Sequence, residues 1–105
     1  MQVIPLAVVP NQKFTIRLDD IRWTIKLQLT QELMSATIER NGVPVVSGAR
    51  CVAGEPLINY RASEDRQGNF IFVTLNDELP MYTQFNTTQV LQYYSNAELE
   101  VIRDS

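Results

Sequence analysis

Three short interruptions constrain what this chain can become more than any other feature. Leu18-Asp19-Asp20-Ile21, Leu29-Thr30-Gln31-Glu32 and Arg40-Asn41-Gly42-Val43 each read as a strand, two loop residues and a strand. Pairing across them predicts Phe14, Ile16 and Leu18 opposite Ile25, Trp23 and Ile21. It further predicts Ile25 and Leu27 opposite Ala36 and Met34, and Ile38 opposite both Trp23 and Val45. Every large apolar residue from 14 to 45 then lies on one face. A slip of one residue would turn each side chain to the other face, so three reversals that keep one dry face specify register strongly. The other face carries Lys13, Thr15, Arg17, Arg22, Thr24, Lys26 and Gln28. One dry and one wet face is the signature of an antiparallel sheet. The expected fold is all-β: an antiparallel meander closing into a small β-barrel or sandwich.

The turns differ in quality. Asn41-Gly42 suits the positive φ that a type I′ turn needs at both central positions. Asp19-Asp20 suits it less well. Thr30-Gln31 has the poorest turn chemistry, and a longer loop with a shifted register is the alternative there.

The chain has 105 residues and is 45% hydrophobic, enough for a single β-domain over 1–105 with one core. Its formal net charge is −3, and its nine basic residues make no run in sequence. Unaided binding to a nucleic-acid backbone needs a clustered positive surface, so no nucleic-acid partner is expected. Cys51 is the sole cysteine, which precludes an intrachain disulfide and reads as a small buried hydrophobe. The apolar start lacks a basic n-region and is broken by Pro5 and Pro10, unlike a signal peptide. No apolar run approaches the length of a spanning helix, so no membrane partner is expected.

Outside the meander the pattern loosens. Residues 3–9 read as a short edge strand, because Pro5 removes a ladder donor. Residues 10–12 read as a turn. Gly48 and Gly54 bracket an expected short strand at 49–53 with a bulge or bend, and 56–60 can pair again. A polar loop is expected at 63–68. Residues 69–75 are apolar on both faces, which suits a central strand or one that contacts a partner. Residues 76–88 form a long irregular segment of a kind that is often functional. A strand follows at 89–94. At 97–103 a closing strand is favoured over a short helix.

No catalytic, cofactor-binding or metal-binding residues are expected. The chain contains no histidine, the usual group for acid–base work at neutral pH. Asp19/Asp20, Asp77/Glu78 and Glu98/Glu100 read as a turn, a solvated loop and a wet strand face. There is no calcium-loop spacing and no glycine-rich phosphate loop. Trp23 reads as core, while Tyr93 and Tyr94 point to opposite faces. Asn86-Thr87-Thr88 matches a glycosylation acceptor, a triplet common by chance. Edge strands and apolar loops invite a partner chain. Val3, Ile4, Pro5, Leu6, Leu79, Met81, Tyr82 and Phe85 are therefore the candidate partner-binding residues. The alternative is that both segments fold back over their own core.

Two stretches carry a family resemblance. One is Met1-Gln2-Val3-Ile4-Pro5-Leu6-Ala7-Val8-Val9-Pro10-Asn11-Gln12-Lys13-Phe14. The other is Ile38-Glu39-Arg40-Asn41-Gly42-Val43-Pro44-Val45-Val46-Ser47-Gly48-Ala49-Arg50-Cys51. Gly68-Asn69-Phe70-Ile71-Phe72 and Val90-Leu91-Gln92-Tyr93-Tyr94 fit more loosely. Together they resemble a family of tailed-phage and prophage proteins named after a plug protein in a cyanophage baseplate. The resemblance implies a non-enzymatic structural component of a contractile tail, present in the virion baseplate after assembly in the host cytoplasm. It implies a plug or adaptor held among tube, hub, spike and wedge proteins, in several copies per virion, with no cofactor. A free-standing β-barrel module that binds an oligonucleotide or a sugar is the alternative, and an inhibitor loop at 77–85 is a further one.

Overall fold

The computed structural model describes residues 1–58, 68–95 and 97–98. Seven strands follow in order: β1 (Gln2–Ile4), β2 (Gln12–Leu18), β3 (Ile21–Thr30), β4 (Leu33–Arg40), β5 (Val43–Arg50), β6 (Asn69–Thr74) and β7 (Gln89–Tyr94). They form a four-stranded meander, β2-β3-β4-β5, and a three-stranded sheet, β1-β7-β6. All pairings between named strands are antiparallel. The result is a sandwich; the strands do not close into a barrel.

All three two-residue turns have positive φ at both central positions: Asp19 and Asp20, Gln31 and Glu32, Asn41 and Gly42. The first hairpin has the expected register, with Phe14, Ile16 and Leu18 opposite Ile25, Trp23 and Ile21. The second turn lies one residue later than expected, at Gln31-Glu32. Ile25 and Leu27 therefore sit opposite Ile38 and Ala36, Leu29 sits opposite Met34, and Trp23 faces Arg40. The expected turn would have forced β-branched Thr30 to positive φ, a genuine outlier for that side-chain type. Moving the turn by one residue shifts each pair by two, so the dry face survives, except that Leu33 pairs with Thr30 on the wet face and is exposed. On β5 the register breaks twice, so Ile38 lies opposite Val46 and not Val45. These are β-bulges, each adding a residue on the β5 side.

The core lies between the sheets. The meander contributes Leu18, Trp23, Ile25, Leu27, Met34, Ala36 and Ile38, and the other sheet contributes Ile4, Phe70, Phe72, Leu91 and Tyr93. Trp23 is fully buried, as expected, and meets Phe70 edge-on at 5.2 Å between ring centroids. Phe70 in turn packs on Tyr93 at 5.1 Å. Tyr93 is core and its hydroxyl donates to Asp19 Oδ2 at 2.8 Å, whereas Tyr94, on the opposite face, is half-buried. Gly68 has φ +121°, and a Cβ there would stand 2.3 Å from the Tyr93 hydroxyl oxygen. Only glycine admits both that backbone and the ring.

Three expectations change here. The strand expected at 49–53 is absent: β5 runs through Gly48 to Arg50, and Cys51 and Val52 lie beyond it without regular pairing. The run at 69–75 is not the central strand; that place belongs to β7. β6 is flanked instead by residues 53–57, through bridges Ala53–Phe72 and Pro56–Ile71. Finally, residues 97 and 98 are helical. Ser95 N donates to Glu98 Oε1 and Glu98 N donates to Ser95 Oγ. This reciprocal pair is a capping box, which starts a helix and ends the strand. The polar loop at 63–67, residues 59–60 and the remainder of 97–103 lie outside the described residues.

Candidate functional site

The two segments singled out from the sequence meet in space. Asn86 Oδ1 accepts from Leu6 N, and Asn86 Nδ2 donates to Leu6 O. A primary amide offers the same donor–acceptor pair as a peptide group, so Asn86 substitutes for a strand partner. The same device recurs. Gln12 takes Ala7 N at 3.0 Å and gives to Ala7 O at 2.8 Å. Asn69 takes Ile58 N at 2.9 Å and gives to Ile58 O at 2.7 Å. Gln89 gives to Leu79 O at 3.0 Å and takes Met81 N at 2.8 Å. Asn69 and Gln89 are themselves buried. Four amides thus pin the stretches that lack a ladder: residues 6–7, residue 58 and residues 79–81. Asn86 is tied down as a bracket, which gives its place in the Asn-Thr-Thr triplet a structural reason.

Pinning divides the candidate residues. Ile4, Leu6 and Phe85 are buried in the chain's own core, and Phe85 stacks on Phe72 at 5.8 Å. Their side chains are not available on the surface of this fold. Met81 and Tyr82 are half-buried and pack against that core. Val3 and Leu79, each 47% exposed, and Pro5 face outward.

The strand registers also define two outer faces. On the three-stranded sheet, Val3 lies beside Gln92, which lies beside Ile71; Val90 pairs with Val73, and Tyr94 with Asn69. Ile4, Leu91, Phe72 and Phe70 alternate inward, so Val3, Ile71, Val73, Val90, Gln92 and Tyr94 share the outer face. No charged side chain stands among them. Val73 is 42% exposed, and Leu75, just beyond it, is 55% exposed. Apolar surface grouped at one place in this way commonly marks a contact site. Val73 and Leu75 were not singled out from the sequence, although the two-sided apolar run at 69–75 was their signal.

The meander's outer face is the opposite in character. Lys13 pairs with Lys26 and Arg17 with Arg22, with Thr15 and Thr24 between them. Arg50 lies on the same face, opposite Ser35, and Glu39 is the one carboxylate at a paired position there. Cations that form no run along the chain are gathered by the period of two. Cys51 is buried, and desolvation pushes its thiol up to about 12. A thiol raised this far is inert at neutral pH. Among the described residues no group of three or more His, Cys, Asp or Glu side chains could hold a metal ion.

Fold and surfaces together define a small β-sandwich with one uncharged and one cationic outer face and pinned loops. The chain matches, over residues 1–97, the family described as cyanophage baseplate Pam3 plug gp18, and it belongs to that family. The resemblance carried by residues 1–14 and 38–51 is thereby borne out. A comparison with curated proteins finds no match. Membership supports a structural role in a phage baseplate.

Proposed function

We propose that this protein is a structural plug or adaptor of a contractile phage tail baseplate, held between tube, hub and spike proteins in several copies per virion. The observation that carries the proposal is the family match over residues 1–97. The surfaces are in keeping with it. The docking surface is the uncharged outer face of the three-stranded sheet, with Val3 at its edge, together with the exposed Leu75 and Leu79 on the segment after β6. Such a surface needs no catalytic group: many modest apolar contacts in parallel hold a part that must later yield. Pro5, Met81 and Tyr82 complete the two segments, which Ile4, Leu6 and Phe85 anchor in the core.

Incorporation into tails tests this reading. Leu79→Asp places a charge on an exposed position, so the free domain keeps its stability to within about 0.5 kcal/mol. Tails assembled with this variant should contain little or none of the protein, whereas the parent chain co-purifies with them. Parent chain absent from purified tails would overturn the proposal. Normal incorporation of Leu79→Asp would move the docking surface elsewhere.

A further inference from the structure

A sandwich of two open sheets has four edges, and three of them are blunted. β1 is only three residues long and stops at Pro5. β6 is covered by residues 53–57, with Gly54 N and Leu57 N donating to Phe72 O and Phe70 O. β5 carries Pro44, which has no ladder donor, and two bulges. Proline, bulges, shortness, cover and charged side chains, lysine above all, are the usual means of closing an edge.

β2 has no proline, bulge or cover among the described residues, and its one guard is charge: Lys13 and Arg17 stand on its outer face. It is seven residues long, regular, and pairs only with β3 among the described residues. The direction of its free groups follows from β3. Arg22 N donates to Asn41 Oδ1 and Arg22 O accepts from Asn41 N, so the Arg22 backbone is turned away from β2. Arg17–Arg22 is therefore a non-hydrogen-bonded pair, and by alternation so are Thr15–Thr24 and Lys13–Lys26. The Thr15 and Thr24 hydroxyls, 3.1 Å apart, fit that close spacing. Lys13, Thr15 and Arg17 thus direct their backbone N–H and C=O groups outward from the sheet.

The same geometry brings like charges together. Side chains are nearest in non-hydrogen-bonded pairs, and like charges directly opposite are destabilising. Yet Lys13 faces Lys26 and Arg17 faces Arg22, and none of the four makes an ion pair among the described residues. A chain with net charge −3 has carboxylates to spare, but on this face only Glu39 of β4, opposite Thr24, stands at a paired position. On the other side of β2, Phe14 and Ile16 are only half-buried.

We infer that the outer edge of β2 takes up an extended strand from a neighbouring protein, one that alternates apolar with acidic residues. Its backbone pairs with Lys13, Thr15 and Arg17. Its carboxylates lie beside the Lys13/Lys26 and Arg17/Arg22 pairs, which are separated by four residues, roughly 13 Å along the strand. Its apolar side chains complete the cover of Phe14 and Ile16. A polyphosphate chain suits the edge less well, since Asp19 and Asp20 stand at the end of the same hairpin and the face offers no aromatic ring for base stacking. The inference deepens the assembly reading above and rests on it for the partner being a protein.

The test uses the full chain and a short capped peptide alternating valine and glutamate. The expected result is saturable binding that weakens with salt and slows amide exchange at Lys13, Thr15 and Arg17. Thr15→Pro deletes an outward N–H, a change an edge strand tolerates, and should weaken binding about tenfold or more. Arg17→Glu should raise the Tm of the free domain, by relieving the Arg17–Arg22 repulsion, and still lose the peptide. No binding, tighter binding of a valine–lysine peptide or of single-stranded DNA, or full binding by Arg17→Glu would each overturn the inference. Those failures would leave incorporation of the parent chain into tails untouched. Failure of incorporation would remove the baseplate reading and leave the β2 edge to be judged on the peptide alone.

Discussion

The two sheets are built by different means. The meander is local: each strand pairs with the next through a two-residue turn, and its hydrogen bonds are backbone ladders. The three-stranded sheet joins the first strand to the last two, and its flanks are held by side-chain amides reaching across the chain. Asn86 and Leu6 are 80 positions apart in sequence. A ladder spreads stability over many similar bonds, whereas a bracket concentrates it in one side chain. Single substitutions should therefore be far more damaging in the bracketed half than on the wet side of the meander.

The largest effect is expected at Phe85, which anchors the irregular segment on Phe72. Phe85→Ala should cost about 3–5 kcal/mol, read as a lowered denaturation midpoint. The half-buried Ile16 of the meander, truncated to Ala, should cost well under that. Equal losses would break the contrast between the halves.

Next is Gln89→Leu. The side chain is nearly isosteric, but Met81 N and Leu79 O lose their partner, at a cost of about 2–3 kcal/mol. Hydrogen exchange should quicken at Met81 and leave β3 unchanged. The meander's counterpart, Thr24→Ala, removes only the exposed contact with the Thr15 hydroxyl, so its cost should stay within about 0.5 kcal/mol.

These brackets also mark the limit of what the chain's pattern discloses. The alternation in β2 and β3 was enough to place Phe14, Ile16 and Leu18 against their partners, because turn chemistry and the dry face agree there. The second turn was misplaced for a reason visible in Thr30, whose branched side chain resists positive φ. At 97–103 the strand expectation rested on the alternation of Leu99 and Val101 with polar residues and left out the Ser95-x-x-Glu98 spacing, which marks a helix start. The roles of Gln12, Asn69, Asn86 and Gln89 were not legible. An amide bracket has no period, and its partner is set by tertiary folding. For the same reason Ile4, Leu6 and Phe85 could be named as apolar anchors without knowing that the anchor is the chain's own core. The cations Lys13, Arg17, Arg22 and Lys26 were legible as one wet face, because the first hairpin's register followed from its turn and its alternation.

The smallest effect concerns Cys51, at the junction between the halves, where Cys51 N donates to Met34 O at 2.9 Å. Burial raises its thiol from 9.0 to about 12. The folded state holds the proton more tightly, so stability is fully present below the unfolded value and declines as pH rises from 9.0 toward about 12. Cys51→Ala should flatten that alkaline decline. A thiol reagent at neutral pH should modify the parent chain only as fast as it unfolds.

The most direct test of the account is a density map of the assembled baseplate at side-chain resolution. The central claim is that the uncharged face of the three-stranded sheet, with the segment after β6, meets a neighbour. The account predicts protein density from another chain against Val3, Val73 and Leu79. Density for this chain with those three residues facing open solvent would contradict it.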